Sequence, residues 1–537
     1  MATHRQHQTW SEERELSHRS IARPQKISAS RYGMAATAHY EATEVAAGIL
    51  EAGGNAIDAA VAAAFALGVC EPAASGLGGQ TMMMIHIAES GQTIALDGSS
   101  RAPNRVVPGE LSKIERLRGH CATTVPSTLA VLGYALERYG KLKLEDVLGP
   151  SVRLAEEGYK ITELQHALAR REVKHLRAGT AGRFFLKNSE RLYPAGARFR
   201  QPVLAKTIRR LVESGIEDFY QGDIARQIQE DMIKNSGFIR DDDLAQIPWP
   251  IERKPVTCRF DGMRVYTFGP PGAGRTLIEM LNILGQFPAK HRNPDTPTGA
   301  LLLAEAIRRA NLDRQDRPFD PNFYPQVQGR RMVKADYAKM VARQIQARIK
   351  TQGDTTHLSV MDRFGNVVAL TQSIERVYGS FAASPELGFL YNNYMSAFEY
   401  EDISHPYHLR PNCVPWASVA PTIIFKGRLP WMAIGSPGSE RITSAIVQVL
   451  LRLERQAPFD AVAAPRLHCS IGGKVSLEVS RMRDDIIETL QHHGFTIDAR
   501  DPYSFYMGCI QMVIREKGLL IGVADLRRDG SAKGPRR

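Results

Sequence analysis

The segment GDTTHLSVMDRFGNVVALTQS, residues 353–373, constrains the fold most. Two runs rich in apolar and β-branched residues, THLSVMD and NVVALTQS, flank Arg363-Phe364-Gly365. Two such runs joined by three residues that include a glycine read as a β-hairpin, with Gly365 at the left-handed position of the loop. If Asp362 pairs with Asn366, counting back along both strands puts Thr355 opposite Ser373 at the open end. The register matters, because a one-residue slip would turn every side chain to the other face. By spacing alone, two facing hydroxyls are a cross-strand pair that supports the sheet.

The hairpin marks a change in pattern along the chain. Ahead of it, RYGMAATAH reads as a strand, and EATEVAAGILEAGG as a helix stopped by its glycines. Asn55, with Asp58 three residues on, looks like the cap of NAIDAAVAAAFALGV. That helix is apolar nearly all round, which predicts burial on every side, and Glu71-Pro72 ends it. TMMMIHIA and TIALDG read as strands, with the three methionines as core packing. Residues 110–350 are mainly helical, interrupted by a strand, MRVYTF, and a Pro/Gly turn, GPPGAGR. After about residue 355 strands prevail: THLSVMD, NVVALTQS, TIIFKG and WMAIGS, then a helix, RITSAIVQVLLRLERQ, and further strands near 475–479 and 509–523.

Composition excludes several classes. At 537 residues, 43% hydrophobic and 23% charged, the chain can bury a large core, and length alone suggests three or four domains. No run of about 18 apolar residues is present, so no membrane span or membrane partner is expected. The N-terminus has charge but no apolar h-region, and residues 1–28 read as a disordered basic tail. The six cysteines form no C-x-x-C pair; with no leader, they fit a reducing cytoplasm. The net charge of +12 comes with no nucleic-acid-binding motif and reads as a solvated surface with basic tails. No metal or cofactor site stands out; His357 reads as structural, and His492 and His493 as the end of a helix.

Gly-Asp-Thr-Thr-His-Leu-Ser-Val resembles the processing site of the γ-glutamyltranspeptidases, members of the N-terminal nucleophile hydrolase superfamily. GGNAIDAAVAAAFALGVCEPAASGLGG, YGKLKLEDVLGPSVRLAEEG, PPGAGRTLIEMLNIL, GSPGSERI, APRLH and ADLRRDGSAKG resemble further blocks of that family in the same order, over about residues 30–535. The resemblance implies an α+β fold, the four-layer αββα sandwich, as one compact unit. It also implies a cut between Asp354 and Thr355. Residues 29–354 would then be a large subunit and 355–537 a small one, the two staying associated. The freed Thr355 would supply the nucleophilic hydroxyl and, through its own amine, the base. Its β-methyl would stiffen χ1 and help fix the aim.

Residue by residue, the resemblance makes Ser373 the partner that bonds the nucleophile's amine. Gly438 and Ser439 stand where backbone N–H groups form an oxyanion hole, and Ser418 keeps one of two serines that bind a substrate carboxylate. Other positions depart from the family. Ser99 stands where an arginine is expected, with Arg101 two residues on; Glu375 replaces an asparagine; Tyr394 and Ala397 replace a polar residue and an aspartate; Ala417 replaces the other serine. Residues 399–412 are too few for a long lid. The family implies hydrolysis or transfer of a γ-glutamyl group from a small amide or peptide. The altered pocket favours an acylase acting on an acyl group without the α-amino acid head, since lost charged partners remove the reason for a zwitterion to enter. A non-catalytic relative would not need the retained Thr355, Ser373 and Ser418.

Overall fold

The structure, a computed structural model, describes residues 25–246, 250–316 and 355–536. Its plan follows from the hairpin strands, Thr356–Asp362 and Val367–Ser373, in which every residue is buried. A strand buried on both faces needs a layer on each side. Leu358, Val360 and Leu370 pack on one face against the helix Ala56–Cys70. Met361, Val367 and Ala369 point the other way, into an apolar layer shared with Phe268, Ile423, Ala433 and Val513 of a second sheet. The three methionines divide by the same alternation: Met83 faces the helices, while Met82 and Met84 face the second sheet.

Among the described residues both sheets have seven strands and are antiparallel throughout. The first runs Ser531–Lys533, Gly33–Thr37, Thr356–Asp362, Val367–Ser373, Gln80–Ile87, Gln92–Gly98, Ile251–Arg253. The second runs Ile27–Ser30, Leu519–Ala524, Gln511–Glu516, Leu429–Gly435, Thr422–Lys426, Met263–Thr267, Val256–Phe260. Beyond the second sheet, Val265, Ile424, Met432 and Ile514 pack against the helices Gly274–Leu284, Pro297–Asp316 and Arg441–Arg452. The order helix, sheet, sheet, helix is the four-layer sandwich. The two sheets share one inner core, so the three or four domains suggested by length are replaced by a single unit. A small sheet, Leu467–Cys469, Lys474–Glu478 and Thr496–Arg500, stands outside the two main ones.

The helix Ala56–Cys70 begins where the sequence places it. The Asn55 side chain accepts from the amides of Ile57 and Asp58, and Asp58 accepts from the Asn55 amide. Such a cap contributes about 1 kcal/mol. One boundary needs correction. Ile27 and Ser28, read as the end of the tail, pair with Val523 and Gly522 as the edge of the second sheet; the short run ISAS gives too weak an alternation to signal a strand. Residues 1–24 lie outside the described residues, as do 317–354, and with them Asp354.

Candidate active site

The hairpin has the register read from its loop. Asp362 donates its amide to the Asn366 carbonyl at 3.1 Å, and its carboxylate accepts from the amides of Phe364 and Asn366. The same carboxylate accepts from the Ala56 amide at 3.0 Å, which ties the loop to the start of the buried helix. Thr356 pairs with Gln372 and His357 with Thr371. One step further brings Thr355 opposite Ser373. Alternation sends Thr356 towards the helices and Thr355, like His357, towards the space between the sheets.

His357 is fully buried there. Its ring meets the Thr371 hydroxyl at 2.8 Å and the Ser359 hydroxyl at 3.1 Å. Burial pushes its pKa down to about 3, so it is neutral. The ring occupies the space over Gly435, where an added Cβ would lie 2.2 Å from a ring carbon. His357 is therefore a spacer between the sheets, in line with the structural reading. His493 caps the helix Asp484–His492, with its ring 2.8 Å from the Thr489 carbonyl.

Ser373 is buried, and its hydroxyl accepts from the Glu375 amide at 2.8 Å. The Tyr394 phenol hydrogen-bonds Ser373 and Gln80; burial and the charge of Glu375 raise its pKa far above the ordinary value, so it keeps its proton. Glu375 is left-handed at φ +76°, followed by Tyr378 at +62° and Phe381 at +57°. Side-chain-bearing residues in that region cost about 1–3 kcal/mol each, and such strain gathers at functional sites.

The strand Leu429–Gly435 leads into a tight turn before the helix Arg441–Arg452. Ser436 pins the turn: its hydroxyl donates to the Pro437 carbonyl at 2.6 Å and accepts from the Cys509 amide at 2.9 Å. Gly438 has φ +117° and Ser439 φ +54°. Among the described residues, neither amide N–H of this pair has an acceptor. Two adjacent donors at a helix N-terminus form a site that favours negative charge.

Thr355, Glu375, Tyr394, Ser418 and Ser439 line one cleft of about 850 Å³. Five of the residues singled out in the sequence thus come together from separate segments of the chain. Arg101 does not join them: it lies outside the cleft lining, and its guanidinium donates to Asn412 at 3.1 Å. Ser99 is likewise turned away, its hydroxyl 2.6 Å from the Asp97 carboxylate. Ala397 is on the cleft wall. Residues 399–412 fold back on themselves, with Glu399 and Tyr407 joined through backbone, and add Glu399, His405 and Tyr407 to the rim.

Sequence reasoning missed the rest of the wall. Arg314, itself outside the cleft lining, braces that wall: it donates to the Ala417 carbonyl at 2.5 Å and to the Ser418 hydroxyl at 3.4 Å, and lies 4.5 Å over the Trp416 ring. Burial lowers its pKa to about 10. Arg376, Trp416, Lys474 and Tyr506 line the cleft. They come from separated segments, and no local motif marks them. Among the described residues no cluster of His, Cys, Asp and Glu could hold a metal, and no helix is long and apolar enough to cross a membrane.

A threonine at the head of a central strand, in a cleft between stacked antiparallel sheets and beside a turn of free N–H donors, defines the class of the N-terminal nucleophile hydrolases. Residues 42–534 match the gamma-glutamyltranspeptidase family, and the chain belongs to it. It is 31% identical to a glutathione hydrolase proenzyme of Bacillus subtilis strain 168, covering 95% of this chain and 92% of that one. It is 32% identical to the acylase ACY 1 proenzyme of Pseudomonas sp. strain V22, covering 93% of each. The crystal structure of cephalosporin acylase from Bacillus halodurans superposes with a TM-score of 0.88 at 28% identity, over 96% of this chain and 98% of that one. The chain is thus an enzyme of amide hydrolysis or acyl transfer, in a family that holds both glutathione hydrolases and acylases.

Proposed function

We propose that the chain is a precursor that cuts itself before Thr355 and then hydrolyses an amide through a Thr355 acyl-enzyme. The observation that carries this reading is the cleft lined by both Thr355 and Ser439, with Ser373 next in the hairpin register to face Thr355 and Gly438 adjoining Ser439 in its turn. In the first step the Thr355 hydroxyl attacks the Asp354 carbonyl carbon. The amide C–N bond breaks, the nitrogen takes the proton, and water hydrolyses the resulting ester. Residues 1–354 and 355–537 become two associated chains. In the second step the same hydroxyl attacks the substrate carbonyl, and the new Thr355 amine takes its proton and passes it to the leaving amine. The Gly438 and Ser439 N–H groups face the developing oxyanion, and Ser373 orients the amine. Water then releases the acid.

The acyl group is one without an α-amino acid head. The Tyr394 phenol is already held by Ser373 and Gln80, Ala397 is apolar, and Arg101 is engaged on Asn412. Ser418 remains as a hydroxyl that can meet a polar acyl substituent. A γ-glutamyl head is the second reading, favoured by one observation: Glu375 and Arg376 line the cleft side by side, opposite charges for an ammonium and a carboxylate. Steady-state kinetics on glutaryl-p-nitroanilide beside γ-glutamyl-p-nitroanilide separate the two. The first reading requires kcat/KM to favour the glutaryl compound; a clear preference for the γ-glutamyl compound establishes the second. Thr355→Ala protein that is still cut, or still active, defeats both.

A further inference from the structure

We infer that Glu71 and Arg528 are positioning residues that hold Thr356, and through it aim Thr355; the inference rests on Thr355 being the nucleophile. Glu71 is the residue after the buried helix Ala56–Cys70, and its amide closes that helix on the Leu67 carbonyl at 2.8 Å. A carboxylate there is disfavoured twice, by the negative end of the helix dipole and by loss of water. Arg528 offsets both, its guanidinium 3.0 Å from Glu71 Oε1, with the two side chains 1% and 11% exposed. The other carboxylate oxygen, Oε2, accepts from the Thr356 hydroxyl at 2.6 Å. Hydrogen bonds to an ionised acceptor are short and about twice as strong as neutral ones.

Thr356 is the first residue of its strand to pair in the sheet, with Gln372 of the hairpin; pairing with Gly33–Thr37 starts only at Leu358. Thr355 precedes it, beyond the ladder. Once the chain is cut, Thr355 is a terminus, and termini fray unless tied down. The tie acts one residue inside the nucleophile and on the opposite face, so it fixes the backbone direction without crowding the cleft. It also reaches across the expected cut, since Glu71 lies before it and Thr356 and Arg528 after it. Arg528 is itself held. Its guanidinium lies 4.3 Å over Phe505, and the Lys26 ammonium donates to the carbonyls of Arg528 and Gly530 at 2.7 Å each.

The test removes the hydroxyl and keeps the shape. In full-length Thr356→Val, self-cleavage and kcat should both fall at least about tenfold, the scale of one lost positioning contact, with KM within about twofold. Thr356→Ser, which keeps the hydroxyl, should recover both to within about threefold of wild type, a rescue that loss of packing would not give. Equal cleavage and turnover in Thr356→Val and wild type overturn the inference, as does a serine variant no better than the valine one. If Thr356→Val does not fold, Glu71→Gln reads the same contact without its charge. It should slow cleavage at least about fivefold, and a wild-type rate there also overturns the inference. The assay uses whichever p-nitroanilide the wild type turns over. Wild-type protein that neither cuts itself nor turns over either compound defeats the reading of Thr355 instead, so the two failures are distinct.

Discussion

In the proposed mechanism Thr355 and Ser373 carry different parts of the chemistry, so their variants should fail differently. Ser373→Ala removes a hydroxyl that accepts from the Glu375 amide and faces the nucleophile. Its turnover should fall by roughly 10–100-fold, with the thermal midpoint close to wild type. Wild-type turnover would mean that Ser373 only supports the sheet. A second group of residues governs the response to acid. Burial drives His39, His357 and His468 down to about 3. A histidine with a lowered folded pKa adds stability above its unfolded value, near 6.5, and loses it as pH falls towards the folded value. Each should cost about 1.4 kcal/mol per pH unit below 6.5. Glu41 and Asp529, whose carboxyls burial raises, act in the opposite sense and make the slope shallower. Urea unfolding at pH 7.5, 6.5 and 5.5 should therefore give falling midpoints; a flat profile would mean these rings take up protons in the folded state. Of the individual residues, Thr355 and Ser418 could be brought to one cleft from the sequence because family-like segments surround them. Arg101, expected at the pocket, lies outside the cleft lining with its guanidinium on Asn412, since two residues of displacement past a strand end turn a side chain into another environment.

In the proposed mechanism the turn between the strand Leu429–Gly435 and the helix Arg441–Arg452 works through its backbone, so its side chains are the wrong place to look for a role. Ser439→Gly keeps the N–H and suits φ +54° better than serine does. Turnover should stay within about twofold of wild type, since a backbone donor is unaffected by its own side chain. Gly438→Ala is the opposite case: φ +117° is forbidden to alanine, and the new Cβ would sit 3.1 Å from the Gly508 Cα. The turn must shift, and kcat should fall by about 100-fold, as when an oxyanion donor is lost. If both variants behave like wild type, these N–H groups do not meet the oxyanion. Elements of this kind were legible to different degrees. The hairpin register followed from Gly365 and the two runs beside it, and the helix Ala56–Cys70 from its cap and all-round apolarity. Of the small sheet that brings Lys474 to the cleft, the strand Lys474–Glu478 was read near 475–479, whereas Leu467–Cys469 is too short for alternation to stand out.

For the molecule as a whole, layer order was legible only through the ordered series of family-like blocks, because strand pairing in both sheets joins segments hundreds of residues apart. Ser531–Lys533 pairs with Gly33–Thr37, and Ile27–Ser30 with Leu519–Ala524, so the two ends of the chain close both sheets. Local pattern holds no record of such partners. This interlocking bears on what a cut before Thr355 would do. The strand that would begin the small chain, Thr356–Asp362, lies between Gly33–Thr37 of the large chain and its own hairpin partner. Val367–Ser373 pairs in turn with Gln80–Ile87 of the large chain. The sandwich core draws on both sides of the cut in every layer. Apolar surface of that extent is not released into water under native conditions. Purified protein should therefore run as two bands on a denaturing gel, residues 1–354 and 355–537, yet elute as one species on gel filtration. N-terminal sequencing of the smaller band should begin Thr355-Thr356-His357. Thr355→Ala should give a single band with the same elution volume, since the fold exists before the cut. Two bands from that variant would mean that Thr355 does not make the cut. Separation of the wild-type chains on the column would mean that the shared core does not hold them together.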